Sequence, residues 1–152
     1  MAKDSSILRT YYYHCPPYIS HAPTEEEKRR QAISNGFFTS LERLPRFQVR
    51  LGKLEKRGID KDTGAPIFQQ KRVDLMLGID MVSLAATSKI EKAILLAGDS
   101  DFVPAVQMVK NFGVQVILWH GPSRSFHNEL WQQCDERYEI TQEVINFCKK
   151  PL

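Results

Sequence analysis

Apolar and polar positions along this chain change rhythm several times. "ILRTYYYH" (7–14) is rich in aromatic and β-branched residues and predicts a strand. "CPPYISHAP" (15–23) is broken by prolines and predicts a loop. Thr24 and Glu27 have capping-box spacing, with acidic residues filling the first turn, so a helix is expected over about 24–43. Ala32, Phe37, Phe38 and Leu41 supply part of its apolar face, and Gly36 weakens it locally. "RFQVRLGKLEKRG" (46–58) alternates Phe47, Val49 and Leu51 with Gln48 and Arg50, the period of a strand. "GIDKDTGAP" reads as a turn-rich loop and "PIFQQK" as a returning strand. Residues 46–71 are therefore expected to form one hairpin with a basic, mobile tip.

The spacing of Val73, Leu77, Met81, Leu84 and Ala85 predicts a mostly buried helix over 71–88. Element types then alternate. "KAILLAG" is a strand bounded by charge and glycine, expected at the centre of a parallel sheet. "DFVPAVQMVKNFG" is a helix with Pro104 in its first turn and Gly113 closing it. "VQVILW" is a buried strand, "SRSFHNELWQQCDE" a helix, "RYEIT" a short strand and "QEVINFCKK" a terminal helix. Strands alternating with helices over short links predict a doubly wound α/β sheet.

At 152 residues the chain fits one domain with a sizeable core. Its 42% apolar and 26% charged residues are those of an ordinary globular protein. No apolar run approaches the roughly 20 residues that cross a bilayer, and "MAKDSSILRT" lacks the apolar segment of a signal peptide. Cys15, Cys134 and Cys148 are odd in number and scattered, which argues for reduced thiols and a cytoplasmic setting. Charge is uneven. Residues 1–72 carry 14 Lys/Arg against 8 Asp/Glu, and residues 73–152 carry 7 against 10. The basic half is either a solvated surface or an attractor of a polyanion.

The candidate chemistry sits in the acidic half. "ILLAGDSDF" (94–102) places Asp99 and Asp101 one residue apart at the end of an apolar strand. Like charges this close repel and cost stability unless a cation sits with them. In open parallel sheets, sites form beyond the carboxyl ends of the strands, where Asp99 is expected. Gly98 allows a tight exit, and Ser100 is a candidate cap for the next helix. Two readings stay open: a cap and a turn residue, or two ligands. Asp74, in "KRVDLML", and Asp80 lie on one helix. Six residues rotate a side chain by about 600°, so the two do not share a face. Asp80 is either a partnered structural residue or a ligand.

Carboxylates converging from separate elements suit a hard cation, Mg²⁺ or Mn²⁺. Such an ion activates water and stabilises charge on a phosphate. The chain holds no G-x-x-x-x-G-K-[ST], G-x-G-x-x-G or G-x-S-x-G motif. His14, His21, His120 and His127 have no zinc spacing with cysteine. His120 ends a strand and either faces the cleft or is structural. Asp99 as the nucleophile of a phosphatase or phosphotransferase is a separate reading, weakened by the glycine before it.

"KRVDLMLGIDMVSLA", "AILLAGDSDFVPAVQMVKNFGVQVILW" and "LWQQCDERYEI" together resemble the NYN domain, the LabA-like branch of the PIN-like nuclease superfamily, over roughly residues 7–140. The resemblance implies a three-layer α/β sandwich with a mostly parallel central sheet and an inserted β-hairpin. It also implies an endoribonuclease or related RNA-processing activity with Mg²⁺ or Mn²⁺. By motif, Asp74, Asp99 and Asp101 fall on the acidic catalytic and metal positions, and Asp80 on a further acidic position. Lys71 matches the basic residue before V-D. In the mechanism this implies, water on the metal attacks a phosphodiester of single-stranded RNA. Lys71, Arg72, Arg50, Lys53, Lys56, Arg57 and Ser100 are then the candidate RNA contacts. Tyr11, Tyr12 and Tyr13 are either base-stacking residues or core, and strand alternation favours core.

The family's pattern opens with an apolar strand ending in Asp, followed by an Asn. Here "MAKDSSILRTYYY" resembles the second strand instead, and Asp4 has no strand before it. The expectation is a chain shortened at its start, or a short member with impaired chemistry that binds RNA or regulates through protein contact. Unpaired strand edges would favour a homodimer.

Overall fold

The computed structural model describes residues 6–149; Asp4 lies outside them. The chain is α/β and falls into two compact units that divide between Leu77 and Gly78.

In the first unit, β1 (Thr10–His14) and β2 (Phe47–Leu51) pair in parallel, Tyr12 opposite Val49. A parallel pair needs a crossover, and α1 (Glu25–Glu42) supplies it. The capping box forms as expected. Thr24 Oγ1 accepts from the Glu27 N–H (3.2 Å) and a Glu27 carboxylate oxygen accepts from the Thr24 N–H (2.8 Å). Bonds from Thr24 and Ser20 hold the Glu27 carboxyl below the usual carboxylate range. The helix buries Phe38. Tyr12 meets Phe37 edge-on at 6.0 Å, while Tyr11 and Tyr13 stack on the opposite face of the strand, with Arg50 over Tyr11. All three tyrosines are half-buried.

The expected hairpin over 46–71 is corrected. The run breaks at Gly52, and its first part joins β1. The antiparallel hairpin is β3 (Lys53–Ile59) with β4 (Pro66–Lys71). Glycine is required at the break: a Cβ there would lie 2.5 Å from the Lys71 carbonyl oxygen and 2.6 Å from Val73 Cγ2. Asp60 closes the tip by accepting from the N–H groups of Asp62 and Thr63, both at 2.9 Å.

Helix α2 (Val73–Ala86) carries the division between the units. It was expected to be mostly buried. It buries Met81 and Ala85 but leaves Leu75 and Ile79 exposed.

The second unit is a three-stranded parallel sheet in the order β5 (Lys92–Leu96), β6 (Gln115–His120), β7 (Glu136–Glu139). Helix α3 (Val103–Asn111) links the first pair and α4 (Asn128–Gln133) the second, followed by α5 (Gln142–Cys148). Val106, Val109, Val116, Leu118 and Leu130 are fully buried and form the core. Each such side chain contributes roughly 1.5–3 kcal/mol. Gly113 closes α3 at φ 78°, as its position predicts.

Mostly parallel pairing with an inserted antiparallel hairpin is as expected: β1–β2 and β5–β6–β7 pair in parallel and β3–β4 antiparallel. Two expectations change here. Strand β5 was expected to be central, but among the described residues it pairs with β6 alone, and Ile94 and Leu96 are exposed. An apolar run reads as covered on both faces; only Leu95 is buried. The expected helix over 123–136 begins at Asn128, because residues 121–127 are held against the end of β5 as a loop.

Candidate functional site

The carboxyl ends of β5 and β6 open into a cleft of about 540 Å³ in the second unit, lined by Gly98, Asp99, Ser100, Arg124, Ser125, Phe126 and His127. Placement at this end follows from parallel pairing, which brings both strand exits to the same side.

Asp99 forms one wall. It caps a short 3₁₀ turn, Ser100–Phe102, that leads into α3. Its Oδ1 accepts from the Asp101 N–H at 3.0 Å. Its other carboxylate oxygen makes no hydrogen bond or ion pair among the described residues. One Asp99 oxygen is therefore a cap, and the residue itself lines the cleft. Ser100, expected as the cap, is the first residue of the turn, and it lines the cleft. Asp101 is exposed, contributes its N–H to Asp99, and is not among the lining residues.

The loop 121–127 forms the other wall, and it is fixed to the first. The His127 N–H donates to the Gly98 carbonyl (2.7 Å), and a Cβ at Gly98 would collide with the Ser125 carbonyl oxygen. Ser125 donates to the Pro122 carbonyl from its N–H (3.0 Å) and its hydroxyl (2.6 Å). The buried His120 ring lies 4.3 Å from Phe126, and its Nδ1–H donates to the Gly121 carbonyl (2.7 Å). Of its two readings, His120 takes the structural one.

The remaining candidates belong to the first unit, except Asp80. Asp74 is exposed in the first turn of α2, where a carboxylate suits the helix dipole. Asp80 is half-buried. Arg72 is exposed at φ 75°. The hairpin cations are partly committed within the protein. Glu55 receives Lys71 at 3.1 Å, Lys53 at 3.3 Å and Arg57 at 3.7 Å. Hydrogen bonds from Lys71 and Lys53 hold its carboxyl below the usual range. Lys56 is exposed and makes no ion pair among the described residues, and Arg50 rests over Tyr11.

Among the described residues, no three His, Cys, Asp or Glu side chains are grouped closely enough to hold a metal ion. Asp80, Asp99 and Asp101, all of the second unit, are thus no such group. Beside the His127 ring, the cleft offers two oxygen donors next to each other in sequence, the free Asp99 oxygen and the Ser100 hydroxyl. They fit a hard cation that completes its shell with water and substrate phosphate oxygens, the usual habit of Mg²⁺.

Sequence reasoning missed Arg124 and His127 as cleft residues. The signal was present in "GPSRS" (121–125), whose Gly-Pro and serines mark a turn rather than a helix.

This arrangement, a βαβ-built sheet with a G-D-S-D-F turn at its mouth, is that of a nuclease-like α/β domain. The NYN domain model matches residues 3–141, and the chain belongs to that family, within the PIN-like superfamily. An uncharacterized protein, y4oD, of Sinorhizobium fredii is 32% identical over 96 residues, which cover 62% of this chain and 40% of that protein. The chain thus spans well under half of this relative's length. A solved structure of a protein of unknown function, VPA0982, from Vibrio parahaemolyticus matches 82% of this chain and 66% of its own, at TM-score 0.48 and 20% identity. No described helix is long and apolar enough to cross a membrane.

Proposed function

We propose that this chain is a ribonuclease-like domain that hydrolyses RNA phosphodiester bonds with Mg²⁺ or Mn²⁺, and that Asp99 stands at its reacting centre. One observation carries the reading: Asp99 offers an unpartnered carboxylate oxygen to a cleft at the strand ends while its other oxygen is pinned by the Asp101 N–H. Pinning holds the carboxylate in one orientation before any ligand arrives, which lowers the cost of binding. Asp99 and Ser100 would hold the cation, which when bound supplies an activated water and charge stabilisation at phosphorus. The anchored loop shapes the opposite wall and limits the poses a backbone can take. The free thiols favour a cytoplasmic setting.

A second reading, an RNA-binding or regulatory module without catalysis, is favoured by the absence of a three-donor cluster among the described residues. Cleavage of labelled single-stranded RNA in Mn²⁺, by wild type and Asp99→Asn, separates the two. Asparagine is as good a cap as aspartate, so the variant should stay folded. Loss of cleavage on substitution supports the nuclease. Equal cleavage by both defeats it, and RNA binding without cleavage by wild type selects the second reading.

A further inference from the structure

The geometry points to Arg124 as the phosphate-contacting residue of the cleft, gripping the non-bridging oxygens of an RNA phosphodiester from the wall opposite Asp99. This deepens the reading above and rests on it. Residues 73–152 carry 7 Lys/Arg against 10 Asp/Glu, and the Asp99 carboxylate at the cleft itself sets up a local field that repels a phosphodiester. A cation must offset that field at close range. Two other cations of this unit are spent internally. Lys110 bonds to Asp135 (2.9 Å) and to the Gln133 carbonyl (2.8 Å), while Arg137 lies over Trp131 and donates to main-chain carbonyls around it.

Arg124 differs from both. It lines the cleft, is exposed, and makes no hydrogen bond or ion pair among the described residues. Arg124 and Asp99 line the same cleft and form no salt bridge. The loop that carries Arg124 is locked to the end of β5 through Gly98, Ser125 and His127. Arg124 itself sits at φ 78°, a conformation that glycine would adopt more easily. A planar fork of N–H donors held across a cleft from a carboxylate suits an anion with two equivalent oxygens. His127 borders the same space. Its Nδ1 accepts from the Glu129 N–H (3.4 Å), which leaves Nε2 as the second nitrogen available to a ligand.

The test is fluorescence anisotropy of a labelled single-stranded RNA against the full chain, in EDTA, over a series of salt concentrations. Arg124→Gly keeps the backbone conformation and removes the fork. We expect affinity to fall about tenfold and the slope of log K against log salt to shrink by about 0.7, the share of one phosphate contact on a single strand. Arg124→Lys should restore the slope and only part of the affinity, since it returns the charge without the fork. Melting curves for both variants should match wild type or lie above it. An unchanged affinity, a loss of affinity with an unchanged slope, or no RNA binding by wild type would each overturn the assignment. The nuclease reading fails separately, if Asp99→Asn cleaves as well as wild type while Arg124→Gly still weakens binding.

Discussion

The main-chain N–H of His127 donates to the carbonyl of Gly98 across 2.7 Å, so the exit of one strand and the loop after the next strand form a single piece of structure. A side chain at 98 would collide with the Ser125 carbonyl, a backbone atom that cannot swing aside. Gly98→Ala is therefore expected to push the loop away and destabilise the fold by about 1–3 kcal/mol, the usual cost of overpacking. Urea denaturation measures the loss, and RNA anisotropy should fall with it. A variant as stable as wild type would show that the loop is not held there.

Asp135 ties β6 to the segment entering β7. Its carboxylate accepts from the Val116 N–H at 2.8 Å and from Lys110 at 2.9 Å, while its own N–H donates to the Val116 carbonyl at 2.9 Å. Burial pushes this carboxyl up, but the Val116 N–H and the Lys110 ammonium outweigh it and hold it below the usual carboxylate range. A carboxyl lowered on folding stabilises the native state above its unfolded pKa of about 3.9, and that contribution is lost as pH falls through the folded value. The acid limb of stability against pH should therefore flatten in Asp135→Asn. Asp135→Ala, which strands a fully buried N–H, should cost about 1–3 kcal/mol at neutral pH. Chemical denaturation at several pH values reads both effects.

The three thiols should separate by burial. Cys148 is exposed, whereas Cys15 and Cys134 are buried. Burial also pushes the Cys134 thiol above its ordinary range, which further lowers its thiolate fraction. Brief native labelling with iodoacetamide should modify Cys148 alone, as read by peptide mass, and the other two should react only after unfolding. Rapid native labelling of Cys134 would contradict its burial at the end of α4.

The sequence by itself determined the local elements. The Thr24–Glu27 box, Pro104 with Gly113, and the alternation of strands and helices from residue 92 onward are short-range signals, written in residues that touch their near neighbours. It also determined the position of Asp99, because a glycine and an acid after an apolar strand must emerge at the strand's end. Tertiary structure decided how strands were shared: whether residues 46–58 were one strand or two depended on what crowds Gly52, which is residues 15, 71 and 73. It likewise decided which cations face the cleft. Lys53, Arg57 and Lys71, prominent in sequence, gather around Glu55, while Arg124 is carried to the cleft by a loop whose anchor, Gly98, lies 26 positions earlier. Charge is a property of a residue, but what it faces is a property of long-range contacts, and those appear only when the chain is folded.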